Sequence, residues 1–141
     1  MNQPDRKIAV VVVLGNDERM LSEFWLWEES PDNPDAVYLE LHLPGRSLKA
    51  TSEEGFFDAL TLIREEIEPE GQRLVCYGCS KEVFPSPMAR SMGSGEKAYR
   101  LRIGCPAKRE DLVSIFDSGS DVNPATFSEQ EQFYHEWLKS L

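Results

Sequence analysis

The sequence predicts a single α+β domain over residues 1–141, with a mixed or antiparallel sheet of about five strands and helices packed on it. Three observations carry this reading. Ile8 to Leu14 is a continuous run of apolar, mostly β-branched residues, the pattern of a buried strand. Ala36 to Leu43 alternates, with Val37, Leu39, Leu41 and Leu43 on one side and Tyr38, Glu40 and His42 on the other, as a half-buried strand does. Phe56, Leu60, Ile63 and Ile67 recur at helical spacing.

Between these anchors the other elements follow in order. Ile8–Leu14 is apolar on both faces and reads as a central strand; Gly15-Asn16-Asp17 turns the chain after it. Glu23 to Glu29, with Phe24, Trp25, Leu26 and Trp27, reads as a second strand, and the Pro-, Asn- and Asp-rich loop Ser30–Asp35 joins it to the third as a hairpin. Trp25 and Trp27 share one face of that strand. If the sheet is covered on one side only, one aromatic set faces outward as a candidate interface. Pro44-Gly45 turns the chain, and a helix is expected over Thr51–Glu68, with Thr51 and Glu54 at capping-box spacing and Pro69 and Gly71 as its stop. Arg73–Tyr77 reads as a strand. Ser80–Gly95 is irregular, with one helical turn near Met88–Met92. Lys97–Ile103 alternates as a strand with a basic face, and Lys108–Phe116 reads as a short helix. Residues 117–125 form an internal linker of Ser, Gly, Asp, Asn and Pro. A C-terminal helix follows, capped by Thr126 and Glu129, with Phe127, Phe133, Tyr134, Trp137, Leu138 and Leu141 as its apolar stripe.

A chain of 141 residues that is 40% hydrophobic and 28% charged can build a core without metal or disulfide support. Met1–Arg6 is polar and lacks a signal-peptide core. The longest apolar run, Ile8 to Leu14, falls far short of the ~20 residues that span a bilayer. Three cysteines without a secretory segment suit a reducing compartment, so a cytoplasmic location is expected. The formal net charge is −10, which disfavours nucleic acid and anionic membranes as partners. That charge is uneven. Residues 81–109 carry seven basic side chains (Lys81, Arg90, Lys97, Arg100, Arg102, Lys108, Arg109) against Glu82 and Glu96, a net of +5, which leaves −15 for the rest.

No complete catalytic or metal-ligating set is present, and no cofactor is expected. Cys76-Tyr77-Gly78-Cys79 is a C-x-x-C, but Ser80 to Pro87 cannot continue the long helix a redox pair needs, and no second pair of ligands completes a zinc site. The expectation is that Cys76 packs in a strand and Cys79 in the turn after it. Gly93-Ser94-Gly95-Glu96-Lys97 offers backbone N–H groups to an anion, but it lacks the P-loop spacing and leads into a strand. His42 falls on the polar face of a strand and His135 on the last helix, both read as surface residues.

Tyr77-Gly78, Ser80, Val83-Phe84-Pro85-Ser86, Met88, Arg90, Met92-Gly93, Gly95, Lys97-Ala98-Tyr99 and Leu101 together resemble a pattern of small uncharacterised bacterial cytosolic proteins. Asp111-Leu112-Val113 and Ile115-Phe116 extend it, so that the resemblance covers residues 55–141. In general character, small, acidic and α+β, the chain is similar to immunity proteins that neutralise bacterial toxins. The resemblance implies a toxin-blocking protein.

Two expectations of different class follow. The first is an acidic protein-binding module for a partner with a basic surface, with Glu28, Glu29, Asp32, Asp35, Glu65, Glu66, Glu68 and Glu70 as contact residues. The four acids at the end of the first helix oppose the helix dipole, which favours docking over a merely solvated face. The second is a small-anion or nucleotide-binding domain, with an enzyme as one form of it, built on residues 78–102 with Ser80, Lys81, Arg90, Gly93, Gly95 and Lys97.

Overall fold

The apolar run forms β1 (Arg6–Val13), which the computed structural model, describing residues 2–141, places between β2 (Arg19–Trp27) and β5 (Arg73–Val75). With β3 (Val37–Leu43) and β4 (Arg46–Ser52) this makes a five-stranded antiparallel sheet of order β4-β3-β2-β1-β5. Register follows the alternation. Val10, Val12, Phe24, Leu26, Leu39, Leu41 and Ala50 point to one face and are buried. On that face lies α1 (Phe56–Ile67), which buries Phe56, Phe57, Ala59, Leu60, Ile63 and Ile67.

A second sheet of order β6-β7-β8 joins Val83–Phe84, Lys97–Arg100 and Leu112–Ser114. The short helix α2 (Pro87–Ser91) lies between β6 and β7, and α3 (Phe127–Ser140) closes the chain. One apolar core runs through both sheets, α1 and α3. Its aromatic members link the layers: Phe116 stands edge-on to Phe24 at 5.0 Å and to Phe56 at 5.6 Å, and Phe84 stacks on Tyr134 at 4.4 Å. Among the described residues no helix is long and apolar enough to cross a membrane.

The α+β class, the β2–β3 hairpin, the helical turn in the irregular segment and the capping box of α3 are as expected from the sequence; Thr126 Oγ1 accepts from the Glu129 N–H and the Glu129 carboxylate from the Thr126 N–H. Five expectations need correction. Thr51 does not cap a helix: it lies in β4, and α1 starts after Gly55, which has no side chain to cap with. Lys108–Phe116 is not a helix but a turn at Arg109–Asp111 followed by β8. The strand expected to reach Ile103 ends at Arg100, and the one expected to reach Tyr77 ends at Val75. Finally, β1 is central but not buried on both faces: Ala9 is exposed and Val11 half-buried, because the outer face of the sheet carries no helix.

That outer face holds Trp25 and Trp27. Trp25 is half-buried, with His42 stacked on it at 3.9 Å and Lys7 Nζ above it at 4.1 Å. Trp27 is buried and donates Nε1–H to the Asn2 carbonyl. Burial first, and then its bond to Glu40, raise the Tyr38 pKa. His42 bonds Glu40 at 2.7 Å, and His135 is exposed on α3.

Candidate partner-binding groove

Burying the middle of the chain, where strands are two to four residues long, leaves many backbone groups without ladder partners. Two side chains supply them. Arg64, 1% exposed on the apolar face of α1, donates to the Gly78 carbonyl (3.2 Å), the Ala125 carbonyl (3.0 Å) and Gln130 Oε1 (2.7 Å), and pairs with Glu68. Gln130, fully buried on α3, donates to the carbonyls of Gly78, Ser80 and Val83. Residues 117–125 are tied into the same hub, since Lys81 N–H donates to Asn123 and Ala125 N–H to Cys79. Cys76 and Cys79 are sealed beside it. The Cys76 thiol is pushed well up by its bond to Cys79 and by burial, which keeps it an unreactive core residue. Cys105 is exposed.

This architecture settles where the expected anion-site residues stand. Ser80 is 1% exposed and its hydroxyl accepts from Asn123 N–H. Arg90 is bound to Asp58 through Nε (3.0 Å) and Nη2 (2.5 Å). Gly93–Gly95 forms a single tight turn, and Gly95 packs on the start of α1. A Cβ on Gly95 would lie 2.8 Å from the Arg90 carbonyl, and one on Gly55 would lie 2.8 Å from the Ser94 carbonyl. Both glycines have positive φ, 68° and 108°, so close approach and backbone conformation each demand glycine. Ser94 donates to Glu28. The loop therefore faces protein and a carboxylate, not an open anion cradle. Lys81 and Lys97 are exposed elsewhere, and the basic strip is partly neutralised, Arg100 by Asp121 and Arg102 by Asp111.

The expected acidic contacts divide into two groups. At the end of α1, Glu65 and Glu66 are exposed, but Glu70 pairs with Arg46, and Glu68 holds Arg64 while accepting the Phe127 N–H at the start of α3. Glu68 is thus a structural clamp. Its acid at the C-terminal end of α1 is explained by the N-terminal end of α3 that it meets. The 28–35 loop behaves differently. Glu28, Glu29, Asp32 and Asp35 are all exposed. Glu28, Glu29 and Pro34 line a cavity of about 620 Å³ together with Asp5. Glu28, Pro34 and Asp35 also line an adjoining cavity of about 220 Å³, across from Glu53 and Glu54. Glu54 and Ser91 continue into a third, of about 510 Å³, with Asp58, Arg90, Phe84 and Tyr134.

Shared walls make these cavities one groove. Its lining holds seven carboxylates, Asp5, Glu28, Glu29, Asp35, Glu53, Glu54 and Asp58, and among the described residues one base, Arg90, already spent on Asp58. Arg6, next to it, is held by Glu96 (2.9 Å) and Glu28 (3.3 Å). The bond from Arg6, stronger than the opposing burial, lowers the Glu96 pKa. Among the described residues no group of three or more His, Cys, Asp and Glu side chains gathers at metal-binding geometry. The sequence reading missed Asp5 just before β1, Glu53 and Glu54 in the turn after β4, and Asp58 on α1, which join the 28–35 loop only through folding. In comparison with known proteins, no protein-family model and no curated sequence matches the chain.

Proposed function

We propose that the chain is an acidic protein-binding module that captures a basic partner protein on the groove between the 28–35 loop and α2. A toxin domain is the partner class that the immunity-protein likeness implies, and covering its basic surface would block it. The observation that supports this reading is the convergence of seven carboxylates from distant parts of the sequence on one concave surface with, among the described residues, a single, internally paired base. Like charges gathered this way repel each other in the free protein, and a cationic partner relieves that repulsion on binding. Electrostatic attraction also speeds encounter and makes binding salt-sensitive. The anion-site reading has less support, since Arg90 and Ser80 are engaged within the fold.

The test is parallel capture from host lysate by the native chain and by the charge-reversed Glu28→Lys/Asp35→Lys/Glu53→Lys form, followed by affinity measurement on the purified partner. The expected result is a basic partner bound by the native chain, released by salt, and bound at least tenfold more weakly by the reversed form. Equal affinity of the two forms for each protein captured sinks the proposal.

A further inference from the structure

The acidic groove does not end at Asp58. Phe84 and Tyr134, which close its third cavity, also form one wall of a fourth, of about 280 Å³. This last cavity changes character. Its other walls are Tyr99, Leu101, Ala107 and Trp137, and Trp137 Nε1–H is already given to the Cys105 carbonyl, so the indole presents only its apolar ring. Leu141 at the rim is 59% exposed. Pro87, Arg90 and Ser91 of α2 line the third cavity, and on the same helix and its C-terminal cap Met88 and Met92 are 70% and 60% exposed, one helical turn apart. Methionine surfaces of this kind adapt to varied apolar side chains.

We infer, on the basis of the function proposed above, that the groove takes an extended segment of the partner with two chemically distinct parts. Lys and Arg side chains lie along the Glu28–Asp58 half, and one bulky aromatic or aliphatic side chain enters the pocket of Phe84, Tyr99, Tyr134 and Trp137. Charge complementarity fixes the first part, because among the described residues the acidic half has no free base of its own. The second follows from where the groove leads. A purely cationic segment would leave this aromatic pocket in water, whereas an apolar anchor removes both surfaces from it. The acids set encounter rate and salt dependence, and the anchor sets which cationic segment is kept.

The test uses two fluorescein-labelled synthetic peptides of equal charge, alternating Lys/Arg with Gly/Ser. One ends in Trp-Leu, the other in Ser-Ser, and each is also made with the two-residue end at the opposite terminus. Anisotropy titrations give the affinities. The expected result is that one Trp-Leu peptide binds at least tenfold tighter than its Ser-Ser counterpart, the scale of burying one large apolar side chain. Filling the pocket by Ala107→Phe, or by Pro106→Trp should the first variant melt early, removes that advantage. Glu53→Gln/Glu54→Gln weakens all peptides, and Asp17→Asn, in the turn after β1, weakens none. If cationic peptides bind but Trp-Leu gives no advantage in either orientation, or filling the pocket leaves the advantage intact, the two-part segment is wrong while the acidic-module reading stands. If no cationic peptide binds even at low salt, both fall.

Discussion

From β1 to β4 the backbone is satisfied strand by strand, through registers of five to eight paired residues. Between Gly78 and Ala125, four carbonyls accept from two side chains, Arg64 and Gln130. The first region spreads its stability over many equivalent contacts. The second concentrates it in a buried guanidinium and a buried amide, each contributed by a helix outside the segment it supports. A distributed region degrades gradually under mutation. A concentrated one tolerates changes around its hub and fails when the hub is touched, because every orphaned carbonyl then bears its full desolvation cost.

The sharpest way to break this comparison is Arg64→Ala. It removes at once the cation that Glu68 pairs with, the side-chain donor to the Ala125 carbonyl, the donor to Gln130 Oε1 and one of the two side-chain donors to the Gly78 carbonyl, and we expect a loss of about 4 kcal/mol, as for a buried pair that loses one partner. Urea unfolding measures the loss, and hydrogen exchange should show residues 76–126 deprotected ahead of β1–β3. Uniform deprotection would put both regions in one class. Gln130→Leu, which keeps the side-chain volume, should cost about 3 kcal/mol, because the Val83 carbonyl loses its Gln130 donor and the buried Arg64 guanidinium loses an acceptor, while the Gly78 and Ser80 carbonyls keep Arg64 and the Val83 N–H. In the sheet, Val12→Ala removes two methyl groups from a fully buried site and should cost about 2 kcal/mol, with protection lost evenly across the strands. Thr126→Ala deletes the cap of α3 and should cost about 1 kcal/mol in a thermal melt.

The smallest expected effect lies where the two regions are stitched together. Arg6 of β1 holds Glu96, which precedes β7, and lowers its pKa. The unfolded chain therefore binds more protons at this site than the folded one, so its contribution is full above the ordinary glutamate range and fades as pH falls through the lowered value. Glu96→Gln should flatten the acid limb of stability against pH. Because Arg6 is 39% exposed and open to solvent screening, the effect at neutral pH should stay under about 1 kcal/mol.

The same contrast governs what the sequence discloses. β3 is legible because one covered face imposes a period of two on its side chains, and β1 because its run of β-branched residues is unbroken, which also led to its burial being overstated. β4, Arg-Ser-Leu-Lys-Ala-Thr-Ser, is an edge strand that turns only Leu48 and Ala50 toward the core, too few to show a period, and Thr51 with Glu54 imitates a cap. β8 is misread because Leu112, Val113, Ile115 and Phe116 suit a helix as well as a strand and a turn. The hub leaves a faint trace: Arg64 sits among Leu60, Ile63 and Ile67, and Gln130 falls on the stripe of Phe127, Tyr134 and Trp137. A polar residue in the middle of an apolar face signals a buried partner. The acidic loop 28–35 was visible as charge, but its convergence with Glu53, Glu54 and Asp58 depends on β4 and α1 standing beside it, which no local pattern encodes.

The three thiols carry a consequence of their own. Cys105 is exposed, while Cys76 and Cys79 are sealed against the Arg64 hub. A thiol reagent added to the native protein meets one sulfur at once and the other two only during excursions that part the hub. The lag between the first and the later modifications is therefore a clock, set in the chain itself, for how often that region breathes. Where the sheet has no thiol to report on it, the concentrated half of the molecule announces each of its own openings.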